Sequence, residues 1–449
     1  MGRKVAIAVE EAELSSNLEL GGKRFRWRET AILAVLASVI VIALVDFARV
    51  AMLPQGKLGQ TDFTDLYVGG WLWRHGENPY ESGRVRETWN EVSGRAFSSE
   101  LKTIYPPTAY MLTSPLTLLP WPLANTVFAW MQFAGIFCIP WLLLCGSLQE
   151  IDKVAVVSLT AGVVAYSPFH TAMHLNNASA ICIATIVAAL TLVERWPGFA
   201  GVLLGMTCCV KPQVGLWFVV LFLIARQKRA FWWAMGTGAI LVAAALAPYA
   251  TRLPELRQGY REEMKEAFGP GKTGDYTDRT QAARFSFVNV QPLVFQIVQS
   301  RTVANGIAWG AFGVLFAGWV WVARKTGARD FWLTASALIA VSDVALYRRS
   351  YDLGLFVIPL CWAAANYAGP LKKYAIAIGA IGATAFLPIT SMLYRLSFRV
   401  PQSLQESLGW RMVVEPMHSW IVLAMAVATM AALGASRKGE RWRAWEESV

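Results

Sequence analysis

Charged residues are scarce in this sequence: Asp, Glu, Lys and Arg make up only 16% of its 449 residues, whereas 55% are hydrophobic. A single soluble core is excluded, because a soluble domain of this length needs far more polar surface. Strands that alternate between apolar and polar residues are also missing. Instead, continuous apolar runs of roughly 17 to 25 residues recur, each long enough for a helix to cross a hydrocarbon layer about 30 Å thick. The composition therefore predicts an all-α polytopic membrane protein.

The sequence also lacks a cysteine framework. Its six cysteines lie mostly inside apolar runs, where a thiol behaves as a small hydrophobic side chain. We therefore expect no disulfides, no metal site and no cofactor. The net charge of +11 arises from Lys and Arg in short connections between apolar runs, not from one basic face, which argues against nucleic acid as a partner.

The apolar runs predict about 10 to 12 membrane-embedded helices, with interfacial helices and loops on the outer side. Single spans are expected at 30–50, 121–146, 153–171, 177–194, 230–250, 303–323, 330–347, 353–369, 373–394 and 418–435. Residues 198–226 are too long for one straight span and contain Lys211-Pro212, so a broken hairpin is expected there.

Basic residues in the short connections predict the topology. They favour a cytoplasmic segment 1–29, one transmembrane domain 30–435 and a cytoplasmic basic tail 436–449. The longer segments then lie on the outer side, near 51–120, 251–302, 347–352 and 395–417. No cleavage site follows the first basic residues, so the first span is expected to be a retained anchor in the cell membrane.

Several short motifs recur in a recognisable order. An acidic residue follows the first span, and then come Asn78-Pro79-Tyr80, Tyr105-Pro106-Pro107 and SPLTLLP. Residues 174–226 add an Asn-rich turn, a Gly-rich short helix, a Lys-Pro break and a basic exit. This order resembles that of glycosyltransferase family 87, whose members use polyprenyl phosphate sugars and belong to the GT-C superfamily, and it covers roughly residues 45–360.

The resemblance implies an inverting membrane enzyme that moves a monosaccharide, with mannose as the first choice, from polyprenyl phosphate to a lipid-linked or envelope glycan acceptor outside the membrane. Arabinose is the second candidate sugar, because a fold does not determine its substrate. A transporter or flippase for a lipid-linked sugar is the alternative from another class, although no inverted repeat is visible. A third alternative is an assembly partner that has lost activity.

Such chemistry needs a carboxylate to accept the proton of the attacking hydroxyl. Asp62 stands at the family's acidic position, directly outside the first span, and Asp65 follows one helical turn later. Acids beside a membrane span are rare, which favours a catalytic role. The alternative is that one of them caps a helix or is simply solvated.

The leaving phosphate needs cations. Lys211 lies inside an apolar stretch, where a charge is costly unless it meets a partner or a cavity, and the helix after Pro212 offers free N–H groups. Arg348 and Arg349 lie in a short outer turn, against the positive-inside tendency. These three residues are the phosphate-binding candidates. The alternatives are structural ion pairs: Lys211 with a buried carboxylate such as Asp343, and the arginines with Asp352 or Asp62.

Polar residues at the same outer level are candidates for contacts with the sugar or the acceptor. They are Tyr105, His174, Asn176, Asn177, Tyr351 and Asp352. The two asparagines could equally cap the next helix, and the Asn177-Ala178-Ser179 sequon is interpreted as accidental. The family often carries a histidine in the turn at 347–352, and this chain does not. Its role is not transferred to any other histidine.

Overall fold

The structure, a computed structural model, describes residues 30–50, 61–94, 103–147, 153–326 and 330–446. These ranges are built from helices and contain no β-strand, only an isolated bridge between Phe287 and Arg349. The all-α class predicted from the composition is confirmed. The expected N-terminal segment 1–29 lies outside the described residues, as do the last three residues of the tail.

The α-helices of the described residues range from 4 to 30 residues in length. They are α1 Thr30–Val50, α2 Asp62–Arg74, α3 Ser82–Ser93, α4 Pro107–Thr113, α5 Trp121–Ser147, α6 Lys153–Val164, α7 Ser167–Leu175, α8 Ser179–Leu192, α9 Pro197–Val210, α10 Pro212–Ile224, α11 Lys228–Leu246, α12 Leu253–Phe268, α13 Gln291–Val298, α14 Arg301–Thr326, α15 Phe331–Ser342, α16 Val357–Asn366, α17 Lys372–Ala383, α18 Ile389–Ser397, α19 Gln402–Gln405 and α20 Met417–Glu446. Short 3-10 helices span Ser114–Leu118, Ala247–Tyr249, Ala282–Ser286, Ser350–Phe356 and Thr384–Phe386, and a π-helix spans Trp410–Val414.

The described chain crosses a membrane several times. Helices α1, α5, α11, α14 and α20 are long and apolar enough to span, and α17 with α18 form a sixth candidate that is bent by 54°. Helices α8, α9, α10 and α15 are apolar but shorter. The number of full-length spans in the described residues is thus lower than the number of apolar runs suggested.

Two of the expected spans are divided into shorter helices for local reasons. The run expected at 153–171 is divided between α6 and α7, because Pro168 at the start of α7 provides no backbone N–H to continue α6. The run expected at 353–369 begins with a 3-10 helix and continues as α16. Apolar composition alone does not distinguish such broken segments from continuous spans.

The break predicted at Lys211 separates α9 from α10. Beyond it Gly215 lies against the backbone nitrogen of Cys208, where an added Cβ would come within 2.8 Å. Two residues seven positions apart are about 10 Å apart along a straight helix. The chain therefore turns sharply at Lys211, as a broken hairpin requires.

Small residues let α9 lie close to α11. A Cβ at Gly201 would overlap the carbonyl oxygen of Ala230, and one at Gly205 would come within 2.8 Å of the carbonyl oxygen of Ala234. This four-residue spacing of small residues is typical of close helix pairs in membranes, where packing contacts stabilise association. The contact fixes α9 and hence the position of the Lys211 break.

An aromatic cluster holds α2 in place. Phe63 stacks on Phe128 of α5 with ring centres 4.2 Å apart, and it also packs against Trp121. Tyr67 donates a hydrogen bond of 2.8 Å to the carbonyl oxygen of Leu119. Because these contacts lie within the first two turns of α2, they also fix the start of the helix, where the two candidate acids stand.

Candidate active site

Five side chains from four separate segments meet in one polar cluster. Asp62 comes from the start of α2, Asn177 and Ser179 from the α7–α8 junction, Lys211 from the break, and Asp352 from the 3-10 helix Ser350–Phe356. Asn177 Nδ2 donates to Asp62 Oδ2 at 2.5 Å, and Ser179 Oγ donates to Asp352 Oδ1 at 2.7 Å. Lys211 joins the two halves. We call these five residues the central cluster.

Asn177 is held in one orientation. Its Oδ1 accepts hydrogen bonds from Lys211 Nζ at 2.8 Å and from the Ser179 backbone N–H at 2.9 Å, and Ser179 Oγ lies 2.7 Å away. Only the amide oxygen can accept, so the Nδ2 group must face the other way, toward Asp62. With 1% of its surface exposed, Asn177 is a buried donor aimed at a carboxylate.

Lys211 is only 3% exposed, and its ammonium group has three protons and three acceptors. It donates to Asn177 Oδ1, to Ser179 Oγ at 2.5 Å and to Asp352 Oδ1 at 3.3 Å. The structural pairing considered as an alternative is therefore present. Its partner is the buried carboxylate of Asp352, whereas Asp343, named as an example of such a partner, is paired with Arg348.

Arg348 does not join the central cluster. It is 1% exposed and forms a close ion pair with Asp343. It also donates to Ser342 Oγ at 3.0 Å and to the carbonyl oxygen of Gln213 at 3.2 Å. These contacts bury its charge among α10, α15 and the following turn, where the guanidinium is committed to a structural pair.

Arg349 instead contacts the segment between α12 and α13. Its Nε donates to the Tyr347 hydroxyl at 2.7 Å, and its Nη1 donates to the Ala283 carbonyl oxygen at 3.0 Å and to Ser286 Oγ at 2.6 Å. The positive charge of Arg349 also acts to lower the pKa of Asp62. Arg349 thus influences Asp62 by its charge, whereas Arg348 is held in its own pair with Asp343.

The two candidate acids have different surroundings. Burial raises the pKa of Asp62 above its usual value of 3.8, while the Asn177 hydrogen bond and the charges of Lys211 and Arg349 oppose that rise. Burial also raises the pKa of Asp65, and the neighbouring carboxylates of Asp62 and Glu263 add to the effect rather than opposing it. The groups around Asp62 therefore mainly limit the rise in its pKa, whereas those around Asp65 increase it.

Tyr105 reaches the cluster because two other tyrosines hold its backbone. Tyr80 donates to the Tyr105 carbonyl oxygen at 2.7 Å, and the Tyr105 N–H donates to the Tyr110 hydroxyl at 3.2 Å. The Tyr105 hydroxyl lies 3.5 Å from Asn177 Nδ2. The Asn-Pro-Tyr and Tyr-Pro-Pro motifs are thus in direct contact. Sequence reasoning missed this support and also the role of Ser179, for which the only signal was its place in the sequon.

Tyr351 lies above the ammonium of Lys211, with 4.7 Å between Nζ and the ring centre. Its hydroxyl makes no hydrogen bond within the described residues, and the side chain is partly exposed. Tyr351 and Asp352, both predicted as sugar or acceptor contacts, therefore reach the central cluster in different ways. Asp352 is buried in it, whereas Tyr351 covers it.

His174 lies away from the central cluster. Its Nε2 is 3.5 Å from Asp46 Oδ2 on α1, and the same carboxylate oxygen is 2.9 Å from Nδ1 of His170. His170 Nε2 also contacts the carbonyl oxygen of Val164 at 2.8 Å. The two histidines connect α7 to α1, so the structure does not bring His174 to Asp62.

Asn176 is a packing residue rather than a cluster residue. Its Oδ1 accepts from Gln132 Nε2 at 2.5 Å and its Nδ2 donates to Asn125 Oδ1 at 2.8 Å, both on α5. Its backbone has a φ of 49°, the left-handed conformation that commonly ends a helix, and asparagine tolerates it well. Asn176 therefore ends α7 and delivers its neighbour Asn177 to the cluster.

The fold and the buried polar cluster define a multi-pass membrane protein with an ionisable site. Comparison with known families gives the class: the model of glycosyltransferase family 87 matches residues 103–347, more than half of the chain. The chain belongs to glycosyltransferase family 87. No curated protein and no solved structure matches it. The matched region contains Tyr105, Asn177 and Lys211, whereas Asp62 and Asp352 lie outside it.

Proposed function

We propose that this glycosyltransferase moves one sugar, mannose, from a polyprenyl phosphate donor to a hydroxyl of a lipid-linked or envelope glycan acceptor, with Asp62 as the general base. The observation that carries the proposal is the Asp62 carboxylate held by Asn177 at 2.5 Å beside two cationic side chains. The transmembrane domain is taken as residues 30–435, in the cell membrane. Both termini are assigned to the cytoplasm and the site to the outer face.

In the proposed reaction the acceptor hydroxyl attacks the anomeric carbon of the donor sugar. Asp62 takes the hydroxyl proton as the new carbon–oxygen bond forms, and the bond to the phosphate oxygen breaks with its electron pair. Polyprenyl phosphate leaves, and the configuration at the anomeric carbon is inverted by this single displacement. Proton transfer to a positioned base of this kind contributes about 10²- to 10⁴-fold to a rate.

The leaving phosphate is assigned to Arg349. A phosphate oxygen can replace one of the carbonyl oxygens that the guanidinium now contacts, and planar donors suit phosphate. Lys211 is assigned a different role, because all three protons of its ammonium group already donate hydrogen bonds. It orients Asn177, and its charge stabilises the phosphate from a distance. Arg348 is left out, since binding phosphate would break its buried pair with Asp343.

The sugar contacts are assigned to the two tyrosines beside the carboxylate. Tyr105 and Tyr351 both lie close enough to Asp62 for its charge to raise their pKa, after the larger effect of burial. Phenol groups kept protonated in this way can donate hydrogen bonds to a sugar oxygen, and their rings can pack against its apolar face. Asp65 is assigned to the acceptor side, one helical turn from the base.

A transfer assay with purified protein tests the proposal. Radiolabelled polyprenyl phosphate mannose and a membrane lipid extract are incubated with wild type, Asp62→Asn and Asp330→Asn. Asp330 caps α15 by accepting the Leu333 N–H, and asparagine caps equally well, so the control keeps its fold. We expect kcat to fall about 10²- to 10⁴-fold in Asp62→Asn alone.

Equal transfer by Asp62→Asn and wild type would remove Asp62 as the base. A parallel assay with polyprenyl phosphate arabinose decides the sugar, because only the true donor will give product with wild type. Absence of product from wild type with both donors would reject the polyprenyl phosphate donor.

A further inference from the structure

We propose that the neighbouring starts of α9 and α11 bind the headgroup of an anionic phospholipid, at the opposite end of α9 from the central cluster. Gly201 of α9 contacts Ala230 of α11. Gly205 contacts Ala234 one turn further along both helices, so α9 and α11 run parallel and begin at the same level. Since α9 has 14 residues, this level lies about 20 Å from the break at Lys211. Binding there is independent of glycosyl transfer.

Four exposed cations lie at the starts of these two helices, and none of them makes an ion pair within the described residues. They are Arg195, just before α9, and Arg226, Lys228 and Arg229, around the start of α11. We call these four residues the basic patch. Glu194 is the only acidic residue of the sequence between positions 153 and 254, so the two segments carry a surplus of three positive charges. Such a surplus at the end of membrane helices attracts anionic headgroups.

Exposed tryptophans flank the basic patch. Trp196, Trp232 and Trp233 are 55%, 68% and 51% exposed. Trp233 packs over Gly198, where an added Cβ would lie 3.2 Å from the indole nitrogen, so this side chain joins the starts of both helices. The Arg195 guanidinium lies 5.8 Å from the ring centre of Trp196. Tryptophan is enriched at membrane–water interfaces, because its ring is apolar while its N–H is polar. The patch therefore has the surroundings of a headgroup rather than of bulk water.

The exposed face of α11 beyond the patch suits acyl chains. The candidate membrane span of this helix begins at Lys228, and exposed Met235, Ile240 and Val242 follow the two tryptophans. A free anion would contact only the basic patch. An anionic phospholipid matches both parts of the surface, because its phosphate meets the cations while its chains lie along the apolar side of α11. Each Lys or Arg near a membrane surface strengthens the binding of anionic lipid about fivefold.

Native mass spectrometry of the purified protein in detergent measures the Kd for dioleoyl phosphatidylglycerol, with zwitterionic dioleoyl phosphatidylcholine for comparison. Arg226→Gln/Arg229→Gln removes two charges of the basic patch. Arg395→Gln/Arg399→Gln is the control, because both arginines are exposed and make no ion pair in the described part of the chain. We expect the Kd for phosphatidylglycerol to rise at least about tenfold in the patch variant alone, and wild type to bind phosphatidylcholine more weakly. Equal Kd values in wild type and patch variant, the same loss in the control, or equal affinity for both lipids would overturn the proposal.

Competition separates a lipid from a free anion. Inorganic phosphate in large excess should leave phosphatidylglycerol bound to wild type, because phosphate lacks the acyl chains. Trp232→Ala should weaken phosphatidylglycerol binding several-fold, whereas Trp141→Ala, which removes a similarly exposed tryptophan from α5, should not. Displacement of the lipid by phosphate would assign the basic patch to a free anion instead. Equal lipid binding by the two tryptophan variants would show that α11 does not contact the lipid, and either result would reject the phospholipid.

Discussion

Breaking the ion pair between Lys211 and Asp352 tests the assigned role of the lysine. Both side chains are 4% exposed, and Nζ lies 3.3 Å from Oδ1. Removing one member of a buried pair costs about 3–5 kcal/mol because the other charge is left uncompensated. Asp352 would keep hydrogen bonds from Ser179 and from the Arg349 backbone, so Lys211→Met should cost about 3 kcal/mol, the lower end of that range.

Neutralising both partners should recover most of this loss. We expect Lys211→Met/Asp352→Asn to lie within about 1.5 kcal/mol of wild type, because no buried charge remains unpaired. Lys265→Met, at an exposed position of α12, is the control and should be neutral. The free energy of unfolding is measured by SDS titration in mixed micelles with tryptophan fluorescence.

The alternative role for Lys211, an unpaired lysine that binds phosphate, predicts the opposite order of stability for Lys211→Met and wild type. A lysine that waits unpaired for phosphate is itself destabilising, so Lys211→Met would match or exceed wild type in stability while raising the KM for donor. Finding that Lys211→Met is at least as stable as wild type would refute the reasoning from the ion pair.

Three further predictions follow from the surroundings of the acids and from helix packing. Transfer should be lost as pH falls, with a midpoint above pH 3.8, because Asp62 must be ionised and its pKa is raised. A pH profile of kcat whose midpoint lies at or below pH 3.8 would contradict this. Because folding raises the pKa of Asp65, its contribution to stability is most favourable below pH 3.8 and becomes less favourable as the pH rises. Asp65→Asn should therefore raise the melting temperature more at pH 8 than at pH 5. Gly201→Ala should destabilise the fold by about 1–3 kcal/mol through overlap with α11, whereas Gly236→Ala, where nothing lies within 4 Å, should be neutral or stabilising in the same SDS titration.

The sequence predicted local features well and long-range partners poorly. Pro212 required a break at Lys211, and the lysine's position in an apolar stretch required a partner, but nothing local named that partner. Asp352 lies 141 residues further along the chain, and Asn177 lies 115 residues from Asp62. Only the folded arrangement of α2, α8, the break at Lys211 and the 3-10 helix Ser350–Phe356 brings them together.

Neighbouring residues were the hardest to separate. Arg348 and Arg349 lie in the same turn and carry the same charge, so the sequence offered no reason to assign them different roles. Arg348 is paired with Asp343, whereas Arg349 contacts the segment between α12 and α13. Asn176 and Asn177 were likewise treated alike. A left-handed backbone at Asn176 directs their side chains to different partners. Backbone conformation of this kind is determined by the surrounding helices rather than by the pair itself.

The buried amide of Asn177 has a consequence for producing the protein in eukaryotic cells. Asn177-Ala178-Ser179 is a glycosylation sequon, and the glycan would be attached to the same Nδ2 atom that donates to Asp62. A glycan there cannot coexist with the close contacts of a side chain that is 1% exposed. Any glycosylated fraction would therefore be misfolded material, and Ser179 could not be replaced to prevent it without removing a ligand of Lys211.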